Sequence, residues 1–192
     1  MDIIIVSPSL NPNDNVSGIS SVVQFIISSN PECHYLHFEL GKKDKERGGW
    51  RRIPALAGRY REWKKMIESH PDAIIHYNLP LSKPSLLRDP WFIRYALRQK
   101  RKIVIHVHGG LFLTAPHIPD SLKRIMRWVF HQDVPFIALS DMEKDILQKR
   151  FGIVARRVHY DIALPAVGGV CRERCAVEAR CQIGRASCRE RV

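Results

Sequence analysis

The chain has no run of 18 apolar residues, so nothing in it reads as a membrane-spanning helix. It opens without a basic leader: Met1 and Asp2 pass straight into a strand-like run, and a secretory signal peptide is not expected. It contains no G-x-G-x-x-G, which argues against a dinucleotide cofactor, and no G-x-x-x-x-G-K-[ST], which argues against an ordinary nucleoside triphosphatase. Cysteine is scarce for most of the length: Cys33 stands alone, and the other four (Cys171, Cys175, Cys181, Cys188) crowd the last 22 residues. Their C-x3-C-x5-C-x6-C spacing lacks the paired hooks of a zinc site, so no metal is expected there. Cys33 reads as a buried small apolar residue, and sparse cysteine fits a reducing, cytosolic compartment.

Residues 183–192, IGRASCRERV, match the translation ATC GGA AGA GCG TCG TGT AGG GAA AGA GTG of a sequencing adapter, whose next triplet is a stop. That segment is read as an adapter-derived tail and excluded from fold reasoning. From Asp161 to Gln182 no hydrophobic period survives, and this stretch reads as corrupted sequence. The expected organisation is one domain over 1–160, then an uncertain segment over 161–182, then the tail. On this reading the natural chain continues differently beyond residue 160.

What is present is an alternation. Ile3 to Val6 is a short apolar run, as in a strand buried on both faces, followed by a polar loop from Ser7 to Ser17. Gly18 to Ser29 carries Ile19, Val22, Val23, Ile26 and Ile27 on one helical side. His34 to Leu40 alternates as a second strand, and Gly41 to Arg52 reads as a charged loop. Pro54 suits a first helical turn, after which Leu56, Tyr60, Trp63 and Ile67 share one face, read as core packing. Asp72 to Asn78 is a third strand, and Ser85 to Gln99 a helix that Pro90 is expected to break or restart. Lys102 to His108 is a fourth strand ended by Gly109 and Gly110, Ser121 to His131 a helix, and Pro135 to Leu139 a fifth strand. Ser140 and Glu143 form a capping box for a helix reaching Phe151, with Gly152 as its C-cap. The predicted fold is α/β: a Rossmann-like parallel sheet flanked by helices, with an irregular C-terminal tail.

Residues 1–150 hold 23 basic and 15 acidic side chains, net +8; residues 42–65 alone hold ten and three, net +7. Arg51, Arg52, Arg59, Arg61, Lys64 and Lys65 form the core of this patch, whose charge favours phosphates of an anionic membrane or of nucleic acid. A solvated helix face explains the same residues equally well.

In an open parallel sheet, ligands bind beyond the carboxyl ends of the strands. Three such ends carry polar residues. Ser17 and Gly18 lead into a helix N-terminus, where free amides attract an anion and a missing Cβ admits a phosphate. His106 and His108 share one side of the fourth strand, with Gly109 and Gly110 opening space beside His108. An imidazole there is able to donate to a sugar hydroxyl or a phosphate oxygen. His106, deeper in the strand, reads equally as a hydrogen-bonded core histidine. His76 and Asn78 end the third strand and face the same cleft or close a satisfied turn. Two histidines without a carboxylate do not make a metal site.

Four segments in order carry a resemblance: IIIVSP followed by SGISSVVQFI, then DAIIHYNLP, RKIVIHVHGG and PFIALSDMEKDILQKRFGI. Residues 1–160 thereby resemble the N-terminal domain of retaining GT-B glycosyltransferases of family 4, also called group 1. The resemblance implies one half of a GT-B fold, in which this domain binds mainly the acceptor. Gly18, beside Ser17, matches the glycine of the loop facing the donor diphosphate, and His108 matches the strand-end histidine that reaches the transferred sugar or acceptor. A second domain would bind the nucleotide-sugar and supply paired glutamates in an E-x7-E motif. No such pair occurs in this chain, so the polypeptide alone is expected to be inactive. The resemblance further implies a cytoplasmic, peripheral-membrane enzyme of envelope polysaccharide synthesis, acting on a glycan or lipid-linked acceptor. The nucleotide-sugar enters as a substrate, and no cofactor is expected.

Two other readings remain open: a basic α/β domain binding nucleic acid or another phosphate-bearing ligand, and a flavodoxin-like binding module without catalysis. Against nucleic acid, no helix-turn-helix, zinc-finger or RRM signature is present, and Tyr60 and Trp63 fall on the apolar helix face.

Overall fold

The structure is a computed structural model and describes residues 1–41 and 53–157. Six strands form one sheet in the order β2-β1-β3-β4-β5-β6, and every neighbouring pair is parallel. The strands are β1 (Asp2–Ser7), β2 (His34–Glu39), β3 (Ile74–Pro80), β4 (Ile103–His108), β5 (Phe136–Ala138) and β6 (Arg156–Arg157). Between them run α1 (Gly18–Ser29), α2 (Ile53–Ser69), α3 (Lys83–Arg98), α4 (Leu111–Thr114), α5 (Asp120–Phe130) and α6 (Asp141–Phe151). The predicted parallel α/β sheet is therefore present. The strand order reverses between β1 and β3, which makes their carboxyl ends the switch point of the sheet.

Burial follows position in the sheet. In β1, which has a partner on each side, Ile3, Ile4, Ile5 and Val6 are all buried. β2 is an edge strand and mostly half-buried, with Phe38 its one buried residue. Cys33, just ahead of it, is half-buried and not the core residue anticipated, because the edge leaves it uncovered on one side.

Local chemistry sets most helix ends. The Ser17 hydroxyl accepts from Ser20 N–H at 3.2 Å and starts α1. The Ser140 hydroxyl accepts from Glu143 N–H at 3.2 Å, while a Glu143 oxygen accepts from Leu139 N–H at 3.1 Å. The expected box thus closes on the amide before the cap residue and not on the cap's own. Gly152 takes φ +70°, the left-handed C-cap that glycine adopts without penalty.

Pro90 was expected to interrupt α3, yet the helix runs through it. Phe92, Ile93 and Ala96 beyond the proline are buried with Leu86 before it, and this continuous apolar contact outweighs one lost backbone bond. β3 extends past its expected end at Asn78 to Pro80, where a residue without an N–H is tolerated as the final strand position. The single-turn α4 was not foreseen.

Two apolar clusters hold the layers together. The large one joins Ile4, Val6, Ile75, Tyr77, Leu79, Ile105 and Val107 from the sheet to residues of α2, α3, α4, α5 and α6. Trp63 of α2 lies at its centre, against Phe38, Tyr77 and Phe92, with its indole N–H donating to the Phe92 carbonyl at 3.0 Å. The expected Leu56, Tyr60, Trp63, Ile67 face is indeed core packing. The small cluster joins Ile5 to Val23 and Ile26 of α1 on the opposite side of the sheet. Among the described residues, no helix is long and apolar enough to cross a membrane.

Candidate functional site

Register decides what shares the α1 side of the sheet. Ile5, which packs against α1, is aligned with His37 on β2 and with His76 on β3. Two residues further along, Asn78 is aligned with His106, and Pro80 with His108. Aligned residues of parallel neighbours point the same way, so His76, Asn78, His106 and His108 line the α1 side. The alternate residues Ile75, Tyr77, Leu79, Ile105 and Val107 belong to the large apolar cluster.

These four polar side chains touch one another and are all buried. His76 Nε2 lies 3.2 Å from His106 Nδ1, and the His106 and His108 rings are 4.3 Å apart between centroids. His108 Nε2 lies 2.7 Å from Asn78 Oδ1, and Asn78 Nδ2 donates to the Val6 carbonyl at 2.8 Å. That last bond crosses the switch point from β3 to β1. It also fixes the amide: Nδ2 must donate to the carbonyl, so Oδ1 accepts, and His108 must carry its proton on Nε2. His108 therefore presents Nδ1 as an acceptor.

Burial keeps the row uncharged. Desolvation lowers His76 to about 4 and His108 to about 3, the latter helped by repulsion from His76. His106 is pushed well below the ordinary histidine value by desolvation first and by both neighbouring rings second. A neutral His108 whose free nitrogen accepts is suited to a hydroxyl and not to a phosphate oxygen.

The β1–α1 loop lies at the same carboxyl edge. Ser20 hydroxyl donates to the Ser9 carbonyl at 2.9 Å, and Asn15 Nδ2 donates to Ser17 Oγ at 3.1 Å and to Ser20 Oγ at 3.0 Å. These bonds pin the loop against the start of α1. Ser17 caps Ser20, while helical geometry supplies no acceptor to the amides of Gly18 and Ile19. A Cβ built on Gly18 meets nothing within 4 Å, so a side chain at this position would meet open space.

Gly109 and Gly110 behave differently from the expectation of open space. A Cβ on Gly109 would lie 2.8 Å from Glu143 Oε1, and one on Gly110 would lie 2.8 Å from the Leu81 carbonyl oxygen. Gly110 also adopts φ +143°, which side-chain-bearing residues rarely take. The two glycines let β4's exit press against the β3–α3 junction and α6; the bond from Phe112 N–H to the Leu81 carbonyl at 3.2 Å fixes that approach.

The basic patch is only partly described: Arg51 and Arg52 lie outside the described residues. Arg59, Arg61, Lys64 and Lys65 sit on α2, away from the histidine row. Arg59 pairs with Glu62 at 2.9 Å and approaches Glu39 at 3.7 Å, and Lys64 lies over the rings of Tyr60 and Tyr95 at 5.0 and 5.3 Å. Among the described residues, no group of three or more His, Cys, Asp or Glu is arranged to hold a metal.

One buried polar pair escaped the sequence reading. Arg88 Nε and Asp89 Oδ1 meet at 2.6 Å beneath α3, with Tyr77 beside them. Desolvation raises the Asp89 carboxyl, with the Arg88 charge opposing it. Adjacent Arg-Asp at 88 and 89 looks like any exposed helix pair in one dimension, and only the helix's orientation buries it.

The class defined so far is an open parallel α/β domain with a neutral polar row at its switch point. Comparison with known proteins adds no name to that class: no family model matches the chain, and no curated protein or solved structure is significantly similar to it.

Proposed function

We propose that this chain is the acceptor-binding half of a sugar-transfer enzyme, which moves a sugar from a nucleotide-sugar donor to a glycan or lipid-linked acceptor. The observation carrying the reading is the contiguous row of His76 bonded to His106, the His106 ring against His108, and His108 bonded to Asn78, which is tied to Val6, at the switch-point edge that also holds Ser17 and Gly18. The motif resemblance supplies the reaction class.

On this reading His108 Nδ1 accepts from a hydroxyl of the sugar or acceptor, and Asn78 holds the ring in that tautomer. Burial keeps the imidazole neutral, so the hydroxyl is oriented without a competing charge. The amides of Gly18 and Ile19 stabilise the departing diphosphate, whose charge must be met by fixed donors. Donor binding and the E-x7-E glutamates belong to a partner domain, so residues 1–192 alone transfer nothing. The enzyme works on the cytoplasmic side, at the inner face of an envelope membrane. Nucleic acid is a poor fit to a row that offers acceptors and no charge.

The test has two parts. Long reads across the gene past codon 160 are expected to show a second α/β domain with E-x7-E in frame. The protein they encode is then expected to release nucleoside diphosphate from one member of a nucleotide-sugar panel. His108→Ala is expected to lower kcat by about a hundredfold, the scale of one lost polar contact in a transition state. A continuation without a second α/β domain, or turnover of a nucleotide-sugar by the 192-residue chain itself, sinks the proposal.

A further inference from the structure

Strand β4 ends between two hydrogen-bond acceptors. His108 turns its ring toward α1, and its Nδ1 is left to accept because Nε2 donates to Asn78. Gly109 follows in the chain and turns its bare side the other way, as successive residues of a strand do. A Cβ there would lie 2.8 Å from Glu143 Oε1 and 3.8 Å from Cδ2 of Leu113, a residue of the large apolar cluster.

The backbone at Gly109 does not require glycine: the glycines with positive φ among the described residues are Gly110 and Gly152. What requires it is the carboxylate. Glu143 is held in place, since its Oε2 accepts from Leu139 N–H at 3.1 Å. A side chain at 109 would cover Oε1 or pull Oε2 off that amide. Glu143 has no ion-pair partner among the described residues. Of the basic residues on α6, Arg150 donates to the Leu113 and Ala115 carbonyls at 2.6 Å each, and Lys144 and Lys149 are exposed. Asp141 and Asp145, also exposed, add charge of the same sign as Glu143. Burial raises the Glu143 carboxyl above its ordinary value, with the Leu139 amide opposing, and a charge in that setting gains from a donor brought to it.

We propose that Glu143 Oε1 is a ligand contact of the cleft that sets the charge of the acceptor: the sugar ring capping the end of β4 is neutral or carries an amine, and a ring bearing a carboxylate or phosphate at that position is refused. That selection rests on the sugar-transfer reading and adds the class of acceptor ring to it. Two acceptors, one on each side of the strand end, match the hydroxyl or ammonium donors around the rim of a sugar. A carboxylate or phosphate offers acceptors alone and meets Glu143 charge against charge, which discriminates by repulsion. The amides suited to an anion, those of Gly18 and Ile19, follow β1, which β3 separates from β4. Donor diphosphate and acceptor ring are thereby sorted by charge along one edge.

The experiment titrates the full 192-residue chain with methyl glycosides of gluco, galacto and manno configuration, each as the neutral sugar, the hexosamine and the uronic acid. Amide shifts in NMR spectra give the affinities. In the configuration bound best, the uronic acid should bind about fivefold more weakly than the neutral sugar, the upper end for a charge pair that water partly screens. The hexosamine should bind at least as tightly as the neutral sugar, and His108→Ala should weaken all three. Glu143→Gln keeps an oxygen for Leu139 N–H and puts an amide NH2 in place of Oε1. It should erase the penalty on the uronic acid with thermal unfolding unchanged. Gly109→Ala, which covers the same oxygen from the strand side, should do likewise and separates loss of this contact from a fault in α6. A uronic acid bound as tightly as the neutral sugar by the unaltered chain overturns the selection. So does an unchanged order of the three classes in Glu143→Gln, and if binding there still depends on His108, the sugar-transfer reading stands. No His108-dependent binding in any class overturns both.

Discussion

The two faces of β3 and β4 are built from alternate residues of the same 13 positions, yet they are different solvents. Toward α2, α3 and α5 point Ile75, Tyr77, Leu79, Ile103, Ile105 and Val107, within one continuous apolar cluster. Toward α1 point His76, Asn78, His106 and His108, also buried, with His76 bonded to His106, His108 to Asn78 and Asn78 to Val6 of β1. A strand central in a parallel sheet is expected to be apolar on both faces. A buried polar row in its place adds little net stability when satisfied and is costly when broken. The apolar face accounts for the fold's existence, and the polar face is the candidate site.

The sharpest way to break this comparison is to damage the apolar face. Trp63 is fully buried, meets three aromatic rings and donates to the Phe92 carbonyl. Trp63→Ala should cost about 3–5 kcal/mol, from the range for large aromatic truncations in a core. Urea unfolding followed by circular dichroism reads it. A loss below about 1 kcal/mol would mean that the large cluster is not the main source of stability.

The polar face should show itself through pH. His76 has its folded value depressed to about 4 from an ordinary 6.5, so folding favours the neutral ring. The unfolded chain then binds more protons between those values. Stability is complete above about pH 6.5 and declines as pH falls toward 4, at up to about 1.4 kcal/mol per pH unit for each such group. His76 by itself contributes a decline on the order of 3 kcal/mol over that window, and His106 and His108 act in the same direction. Denaturant midpoints between pH 7.5 and 4.5 measure it. His76→Leu should lower the slope between about pH 6.5 and 4; an unchanged slope would show that His76 is not a source of the acid sensitivity.

How much of this the sequence disclosed depends on how local each feature is. Helix α1 runs from Gly18 to Ser29 as read, because its apolar spacing and its start after a serine-rich loop are local signals. His106 and His108 are two apart on one strand, so their shared side follows from alternation alone. That His76 and Asn78 join them required the register of β3 against β4, which no local pattern states. Gly109 and Gly110 were read as space and turned out to be close approaches, because the atoms they approach, Glu143 Oε1 and the Leu81 oxygen, lie 34 and 29 residues away in sequence. Exposed Trp91 was hidden for the same reason: a helix with Pro90 inside it has an ambiguous inner face until Phe92 and Ile93 are seen buried.

The smallest effect separates the cap of α6 from the row beside it. Ser140 accepts from Glu143 N–H, and Glu143 in turn holds Leu139 N–H and abuts Gly109. Ser140→Ala should cost about 1 kcal/mol, the usual loss of an N-cap. If Glu143 serves only the cap, Glu143→Gln should be nearly silent, since an amide oxygen still accepts from Leu139. If its carboxylate also sets where β4's exit lies, the glutamine amide crowds Gly109, and the histidine ring signals of His106 and His108 should move in the NMR spectrum. Moved ring signals with unchanged stability would tie the end of β5 to the polar row; unmoved signals would confine Glu143 to its helix and leave the two faces of the sheet as independent as their packing makes them.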